Sequence, residues 1–358
     1  MGTTRSASRW MAAACVIAAA VAAGCGSSGG AVDANTVDPL TETVPASTIP
    51  ADTPVEPGVF RVIGQPSLAL DLVRSAAALG FAGREGLSMR IRTEASQDDV
   101  LVALRAGSAD AAVVASDEAL ELASQGADIR IVLLLTTTTS GEAIVAAPPI
   151  NGVGDLVGQR VAYAPGTDGE LLLRGELAAE EVPITQVRLV HAGGRSPGTL
   201  LADGSADAAV VDGVQADDLA AAQSAVAPIA TAGDQPGLLS RALVVRAATA
   251  RTTPGRILAF VRAWQDLYRE QRSNGDEIAA TVATMGHVEP ADVAAELDGI
   301  AVYDVPGNAV ELLPGGEYYD RTLEQIDAAA TAAGWLRAPV DVSRQIDGSF
   351  AQAVASAP

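Results

Sequence analysis

The chain has 358 residues with 44 acidic and 23 basic side chains, a formal net charge of −21, and every basic residue is an arginine. The lack of lysine excludes a Walker A phosphate loop and pyridoxal or Schiff-base chemistry, all of which need a lysine amine. The acidity, with an aromatic content of only 3%, argues against nucleic acid as a partner. The chain opens on a segment with Arg5 and Arg9, followed by an uncharged apolar run from Trp10 to Ala23. As a helix that run would reach only about 21 Å at ~1.5 Å per residue, short of the ~30 Å hydrocarbon core of a bilayer. It therefore reads as a processing signal rather than a span.

Small residues then lead to a single cysteine in Val21-Ala22-Ala23-Gly24-Cys25. This pattern resembles a bacterial lipobox, in which the cysteine is acylated and becomes the first residue of the mature chain; Cys25 is the expected lipidation site. An ordinary cleaved signal with a chance cysteine is the alternative. The start Met1-Gly2-Thr3-Thr4-Arg5-Ser6 also fits a myristoylation pattern, a coincidence given the signal behind it. Cys15 lies inside the signal, so the mature body has no intramolecular disulfide and depends on its core. Residues 26–57 hold five prolines and five acidic residues, with no apolar period and no basic residue. Residues 25–57 are thus expected to be a lipid-anchored disordered tether, with a root-mean-square reach of roughly 30 Å.

From Phe60 onward short apolar strands alternate with helical patterns. Strands are expected at Val59–Ile63, Met89–Thr93, Ala111–Ala115, Ile129–Leu135, Ala143–Ala147, Arg160–Ala164, Val187–His191, Ala208–Val211, Val226–Ala230 and Ala242–Arg246. Helices are expected between them at Leu68–Leu79, Gln97–Arg105, Glu118–Ser124, Asp168–Glu180, Pro197–Ala202 and Gly213–Gln223. Ser67 is placed to cap the first helix, Thr167 and Glu170 read as a capping box, and Ser196-Pro197 and Thr253-Pro254 read as a cap followed by an N1 proline. This alternation predicts α/β architecture with mainly parallel sheets. After about Arg251 only helices are expected, at Pro254–Arg272, Ile278–Met285, Pro290–Leu297, Arg321–Ala333 and Val342–Val354. The first of these carries Ile257, Phe260, Val261, Trp264, Leu267 and Tyr268 on one face.

The octapeptide Gly107-Ser108-Ala109-Asp110-Ala111-Ala112-Val113-Val114 recurs unchanged at Gly204–Val211. Its position between helices suggests equivalent units in two similar α/β lobes, as does a mature length beyond that of one core. Four segments then resemble the solute-binding proteins of ABC importers of the nitrate/sulfonate/taurine/thiamine-precursor class. Leu104–Ala112 is similar to that class's L-x-x-G-x-x-D-A. Gly152–Ala162 is similar to the D-L-x-G-x-x-V-A that opens the second lobe. Asp207–Asp212 is similar to the second lobe's D-A strand, and Tyr318–Gly334 resembles the C-terminal helix. The resemblance covers residues 58–354. It implies a type II periplasmic-binding-protein fold, α/β, with two lobes, a hinge and a C-terminal helical extension. Residues 1–24 are then the signal, 58–142 plus 243–354 lobe one and 143–242 lobe two, with crossings near Gly141–Ala147 and Leu238–Val245.

In such sheets ligands bind beyond the carboxyl ends of strands, at helix N-termini. That rule selects Gln65, Pro66 and Ser67; Ser116; Thr139 and Ser140; Thr167, Asp168 and Gly169; and Asp212 and Gly213. Ser67 and Thr167 can equally be caps only. Glu142 joins the candidates because Ser140-Gly141-Glu142-Ala143 is similar to a Ser-Glu-Ala segment of taurine binders with one glycine inserted. Asp168 departs from the Thr/Ser-rich anion cradles of sulfonate-binding relatives. Either it points outward or the ligand carries positive charge. Tyr163 fits either the cleft mouth or the core. Gly194-Arg195-Ser196-Pro197-Gly198 matches the nucleophile elbow G-x-S-x-G, but that elbow needs an N–H after the serine, and Pro197 has none. His191 and His287 lack the neighbours of a zinc site. No enzyme activity, cofactor or metal is therefore expected.

The resemblance implies a monomer anchored on the outer face of a bacterial cell membrane. It would capture a small polar ligand of sulfonate, amine, amino-acid or pyrimidine type and deliver it to an ABC permease. A ligand sensor serving a signalling partner, and an enzyme on the same fold, are the alternatives.

Overall fold

The computed structural model describes residues 49–357; the signal, Cys25 and the first part of the tether lie outside the described residues. The chain begins with β1 (Val59–Gly64), α1 (Leu68–Ala78), α2 (Phe81–Arg84), β2 (Ser88–Thr93), α3 (Gln97–Ala106), β3 (Ala111–Ala115), α4 (Ser116–Ser124) and β4 (Ile129–Thr138). It continues through β5 (Glu142–Ala146), β6 (Arg160–Tyr163), α5 (Asp168–Ala179), β7 (Arg188–His191), α6 (Pro197–Ala202), β8 (Ala208–Asp212), α7 (Gly213–Ala222) and β9 (Ala227–Thr231). It returns by β10 (Ser240–Arg246) and ends in α8 (Ala247–Thr252), α9 (Pro254–Ser273), α10 (Gly275–Gly286), α11 (Pro290–Asp298), β11 (Ile300–Val302), α12 (Val305–Glu311), α13 (Leu323–Ala333) and α14 (Ser349–Ala355).

Two sheets organise these elements. One has the order β11-β4-β10-β3-β1-β2, the other β7-β6-β8-β5-β9. The chain leaves the first sheet between Thr138 and Glu142 and re-enters it between Thr231 and Ser240. Ser240–Ala242, assigned from sequence to the second lobe, pair with β3 and β4 of the first. Strand directions are mixed rather than mainly parallel. β1 runs parallel to β2 and β3, and β6 parallel to β7 and β8, whereas β10 and β5 run antiparallel to their neighbours. The reversed strands are those next to the crossings, where the chain enters or leaves a sheet without an intervening crossover helix.

Period-two alternation distributes each strand between two faces. Phe60 and Val62 of β1, Ala111 and Val113 of β3, and Leu243 and Val245 of β10 face a core built with α1, α9, α10 and α14. Ala112 and Val114 of β3 and Ala242 and Val244 of β10 face a second core. Ile144 and Ala146 of β5, and Ala208 and Val210 of β8, join that same second core from the other sheet. The outer face of the second sheet, with Val145, Ala209 and Val211, packs on Leu200, Leu201 and Leu219. The two lobes therefore share one apolar seam, which Tyr318, Leu323 and Ile326 of the C-terminal segment complete.

The repeated octapeptide occupies equivalent places. Gly107 and Gly204 both adopt the left-handed backbone conformation. Asp110 accepts hydrogen bonds from the Arg61 backbone N–H at 2.9 Å, from its Nε at 2.9 Å and from its Nη2 at 2.6 Å. Asp207 accepts the same three from Arg160, at 2.8, 3.1 and 2.7 Å. Each aspartate thereby clamps β3 or β8 to its parallel neighbour β1 or β6.

Three expectations fail near the ends. Residues 49–57, assigned to the tether, pack on the body. Glu56 accepts the first N–H groups of α9, from Gly255 at 3.1 Å and Arg256 at 3.0 Å. A Cβ at Gly255 would meet Pro54 O at 2.0 Å, so only glycine admits this approach. The helix expected at Val342–Val354 is split. Val342–Gln345 form a 3-10 turn, Ile346 bridges Ile131 of β4, and Asp347 N–H donates to Ile131 O at 2.9 Å before α14 begins. The α-only tail also contains β11, which extends the first sheet at β4. Asn308 of α12 holds the tail on that sheet. Its Oδ1 accepts from Leu134 N–H at 2.6 Å and its Nδ2 donates to Leu134 O at 3.0 Å.

Candidate functional site

The two crossings lie at the carboxyl ends of β4 and β9, and helix N-termini from both lobes converge there. Thr167 is the N-cap of α5, its hydroxyl accepting from Glu170 N–H at 3.4 Å and donating to Ala164 O at 2.8 Å. The Glu170 carboxylate does not close the expected capping box. It accepts instead from Gly166 N–H at 2.9 Å and pairs with Arg174 at 2.7 Å. With Thr167 as the cap, Asp168 in the first turn is free to project. Its Oδ2 lies 2.9 Å from Nη2 of Arg241, which stands at the start of β10 in the other sheet. Nη1 of Arg241 lies 3.7 Å from Oε2 of Glu118, at the start of α4. Glu118 is itself held, accepting from Ala115 N–H at 2.8 Å and from Nε2 of Gln65 at 3.1 Å.

Three carboxylates act on this one guanidinium, Asp168, Glu118 and Asp117, and Asp168 and Asp212 act in turn on Glu142. Burial, then Asp168 and Glu118, push Asp117 up to about 7 against the opposing pull of Arg241. Burial, then Asp168 and Asp212, push Glu142 up to about 7. Burial disfavours the Arg241 cation, but Asp168, Glu118 and Asp117 outweigh it and hold its pKa above the ordinary value. The site is thus a partly buried acid cluster with a single fixed cation, on both sides of the junction between the lobes.

The sequence-selected residues do not all meet. Gln65, Asp168 and Glu142 belong to this cluster, with Gly169 packed against it. A Cβ on Gly169 would sit 3.2 Å from Glu142 Oε2 and 2.9 Å from Val210 Cγ1. Ser67, Thr167 and Asp212 act as caps. Ser67 accepts from Leu70 N–H at 3.3 Å, and Asp212 accepts from Gln215 N–H at 2.8 Å while standing exposed and opposite Glu142 in the β5–β8 register. Pro66 is exposed beside them. Thr139 and Ser140 form the first crossing, where both N–H groups donate to Gly299 O at 2.9 and 3.3 Å, and Gly213 N–H donates to Gly141 O at 3.0 Å. Ser116 is turned away from the site. It is 1% exposed, and its Oγ lies 2.7 Å from Ser240 Oγ and accepts from the Tyr318 hydroxyl at 2.6 Å. Tyr163 is a core residue, 3% exposed, with its hydroxyl 2.8 Å from Nε2 of His191. Ser196 donates to Gln215 Oε1 at 2.5 Å, a structural bond between α6 and α7.

Arg241, Asp117 and Glu118 were not selected from the sequence. A signal for Arg241 exists: it is the one charge inside the apolar run Leu238–Val245 at the second crossing. Its partner, 73 residues earlier in the other lobe, carries no local mark.

Comparison with known proteins places the fold. The family model described as NMT1/THI5 like matches residues 73–278, more than half of the chain. The periplasmic aliphatic sulphonate binding protein SsuA of Escherichia coli superposes with a TM-score of 0.62 at 18% identity, over 83% of this chain and 99% of that one. The alkanesulfonate-binding protein SsuA of Xanthomonas axonopodis pv. citri, bound to MOPS, gives 0.56 at 17% identity, over 82% and 99%. A ligand-binding component of an ABC-type import system from Staphylococcus aureus gives 0.53 at 11% identity, over 83% and 98%. A search of the curated proteins finds no match. The two-sheet architecture with its helical C-terminal region is the type II periplasmic-binding-protein fold.

Proposed function

The chain belongs to the NMT1/THI5-like family, and from that premise we propose that it is the extracytoplasmic solute-binding component of an ABC importer. It captures a small polar ligand between its lobes and hands it to a membrane permease. The observation that carries this reading is the convergence of Gln65, Glu118, Arg241, Asp168 and Glu142 at the carboxyl ends of strands from both sheets, where α/β sheets bind ligands. The relatives named for sulfonates support the class of protein. They do not transfer their ligand, because the acidic side chains gathered about the Arg241 guanidinium repel a free anion. The ligand of this chain presents an ammonium or amidinium group, alone or as part of a zwitterion, and makes charge-assisted hydrogen bonds worth about 1.5–3 kcal/mol each. Acylation of Cys25 holds the protein at the outer face of the membrane, and the acidic segment behind it is the spacer.

A thermal-shift screen with small amines, amino acids, pyrimidines and alkanesulfonates tests the reading, since binding to the native state raises stability by RT ln(1 + [L]/Kd). At least one amine-bearing solute is expected to raise the melting temperature, and Glu142→Gln to weaken its binding about tenfold, as measured by calorimetry. If no solute shifts the transition, or only a purely anionic one does, the reading fails. The anchor has its own test: Cys25→Ala should move the protein from the detergent-rich to the aqueous fraction. Unchanged partitioning would rule the anchor out.

A further inference from the structure

Of the ion pairs among the described residues, Arg241–Asp168 alone joins the two lobes. The others close within the first lobe, within the second, or within a single helix. The pair is built from both sides. Arg241 stands between buried Ser240 and Ala242 on β10, with a register irregularity beside it where β10 pairs with β4. Asp168 is released from capping by Thr167 and held at the N-terminus of α5. The contact is 2.9 Å, and the two side chains are 31% and 35% exposed, enough for solvent and salt to reach them.

We propose that Arg241 and Asp168 form an interlobe latch that determines specificity: the Asp168 carboxylate holds the position at Arg241 that an anionic ligand would need. Three arguments support this. First, Arg241 is the cation of the cluster, so any carboxylate, sulfonate or nitrate entering the cleft would seek that guanidinium. Second, the Asp168 carboxylate already makes the bond an oxyanion would make, at intramolecular effective concentration. A free anion must displace it and leave Asp168 among Asp117 and Glu142, whose own charges resist it. Third, the bond joins the two lobes beside the second crossing, so opening the cleft there requires it to break. The latch thus filters out pure anions and holds the lobes together by the chain's own residues. This inference rests on the reading of the interlobe cleft as the binding site, but its first test does not require that a ligand be known.

That test measures the distance between the lobes. Val102 of α3 and Val157, ahead of β6, are exposed at 65% and 46% and lie one in each lobe. Spin labels at Val102→Cys and Val157→Cys, in the chain with Cys15 and Cys25 changed to serine, report lobe separation by electron resonance with no solute added. The wild-type pair should give a narrow short distance that broadens and lengthens in 1 M sodium chloride. Asp168→Asn and Arg241→Gln should show the long distance already at low salt and no further salt response. Retention of the short distance in both variants, or no salt response in the wild type, overturns the latch. The salt titration stands by itself if either variant fails to fold. Calorimetry with sodium ethanesulfonate then tests the filter. Asp168→Asn should bind this probe at least tenfold more tightly than wild type, and Asp168→Asn with Arg241→Gln should lose that gain. Equal binding of the probe by wild type and Asp168→Asn overturns the filter. A transport-defective protein that still shows the salt-dependent distances would separate failure of the proposed function from failure of the latch.

Discussion

Glu176, on the inner face of α5, is 6% exposed, and its Oε1 has no hydrogen-bond partner. Burial, and secondarily Asp234, push its carboxyl from 4.5 up to about 7. A carboxyl whose folded pKa exceeds its unfolded one binds its proton more tightly in the folded state. Its stabilising contribution is therefore fully present below pH 4.5 and lost as pH rises through about 7. Glu176→Gln removes that loss. The variant should exceed wild type by about 1–3 kcal/mol at pH 8, and the gap should shrink toward pH 5. Urea denaturation at both pH values checks this, and a gap independent of pH would show that packing rather than protonation is responsible. Asp117 and Glu142 shift in the same direction, so the wild type should itself lose stability between pH 5 and 8. Asp110 and Asp207 act oppositely, since their arginine partners hold them below the ordinary range, and their contribution is lost only at lower pH.

At the scale of elements, what could be read in the sequence was what local physics determines. The buried stripe Ile257, Phe260, Val261, Trp264 and Leu267 of α9 follows from 3.6-residue periodicity, and the repeated octapeptide marks the Asp110 and Asp207 clamps. What escaped was set by distant backbone. The break ahead of α14 goes with the pairing of Ile346 with Ile131, and at Gly348 the Leu312 carbonyl oxygen comes to where a Cβ would lie only 2.4 Å away. No helical period carries that information. The three residues of β11 are too few to show alternation and exist as a strand because β4 offers an edge. In the site, Asp168 was found because strand ends can be located from sequence, and Glu142 through the likeness of Ser140–Ala143 to a Ser-Glu-Ala segment. Arg241 was not, because its role depends on a partner in the other lobe. The same limit hid the docking of residues 49–57, whose composition reads as disorder. Truncating the chain to begin at Gly58 should cost the Glu56 caps on Gly255 and Arg256 together with the packing of Ile49 and Val55 on the first core. Loss of a helix cap costs about 0.5–2 kcal/mol. At ~2–4 °C per kcal/mol the melting temperature should fall by several degrees, and Glu56→Ala alone should account for about half of the fall. An unchanged melting temperature would mean that this segment only rests on the surface.

For the molecule as a whole, the decisive feature is that the lobes, besides a core of their own, share one apolar core between them. Ala112, Val114 and Val244 of the first sheet belong to the same apolar cluster as Ile144, Ala208 and Val210 of the second. α13 is the element that joins them, packing on α4 on one side and α5 on the other through Leu323, Ile326 and Ala329. Just ahead of it, Tyr318 is 2% exposed and bonds Ser116 of the first lobe, while a Cβ at Gly237 of the second crossing would lie 3.6 Å from its ring. A shared seam couples the free energies of the two lobes, because unfolding either one exposes the apolar surface of the other at roughly 25 cal/mol per Å². The intact chain should therefore unfold in one calorimetric transition, with calorimetric and van't Hoff enthalpies in agreement. Ile326→Ala removes a fully buried side chain from the seam and should cost about 2–5 kcal/mol. Its effect on cooperativity is the sharper readout. With the seam weakened, the second lobe, which has only one further small core on its outer face, should melt before the first and split the endotherm in two. A single sharp transition in Ile326→Ala, merely shifted to lower temperature, would show that the crossings alone suffice to couple the lobes. Two transitions in the wild type would show that the seam does not couple them at all.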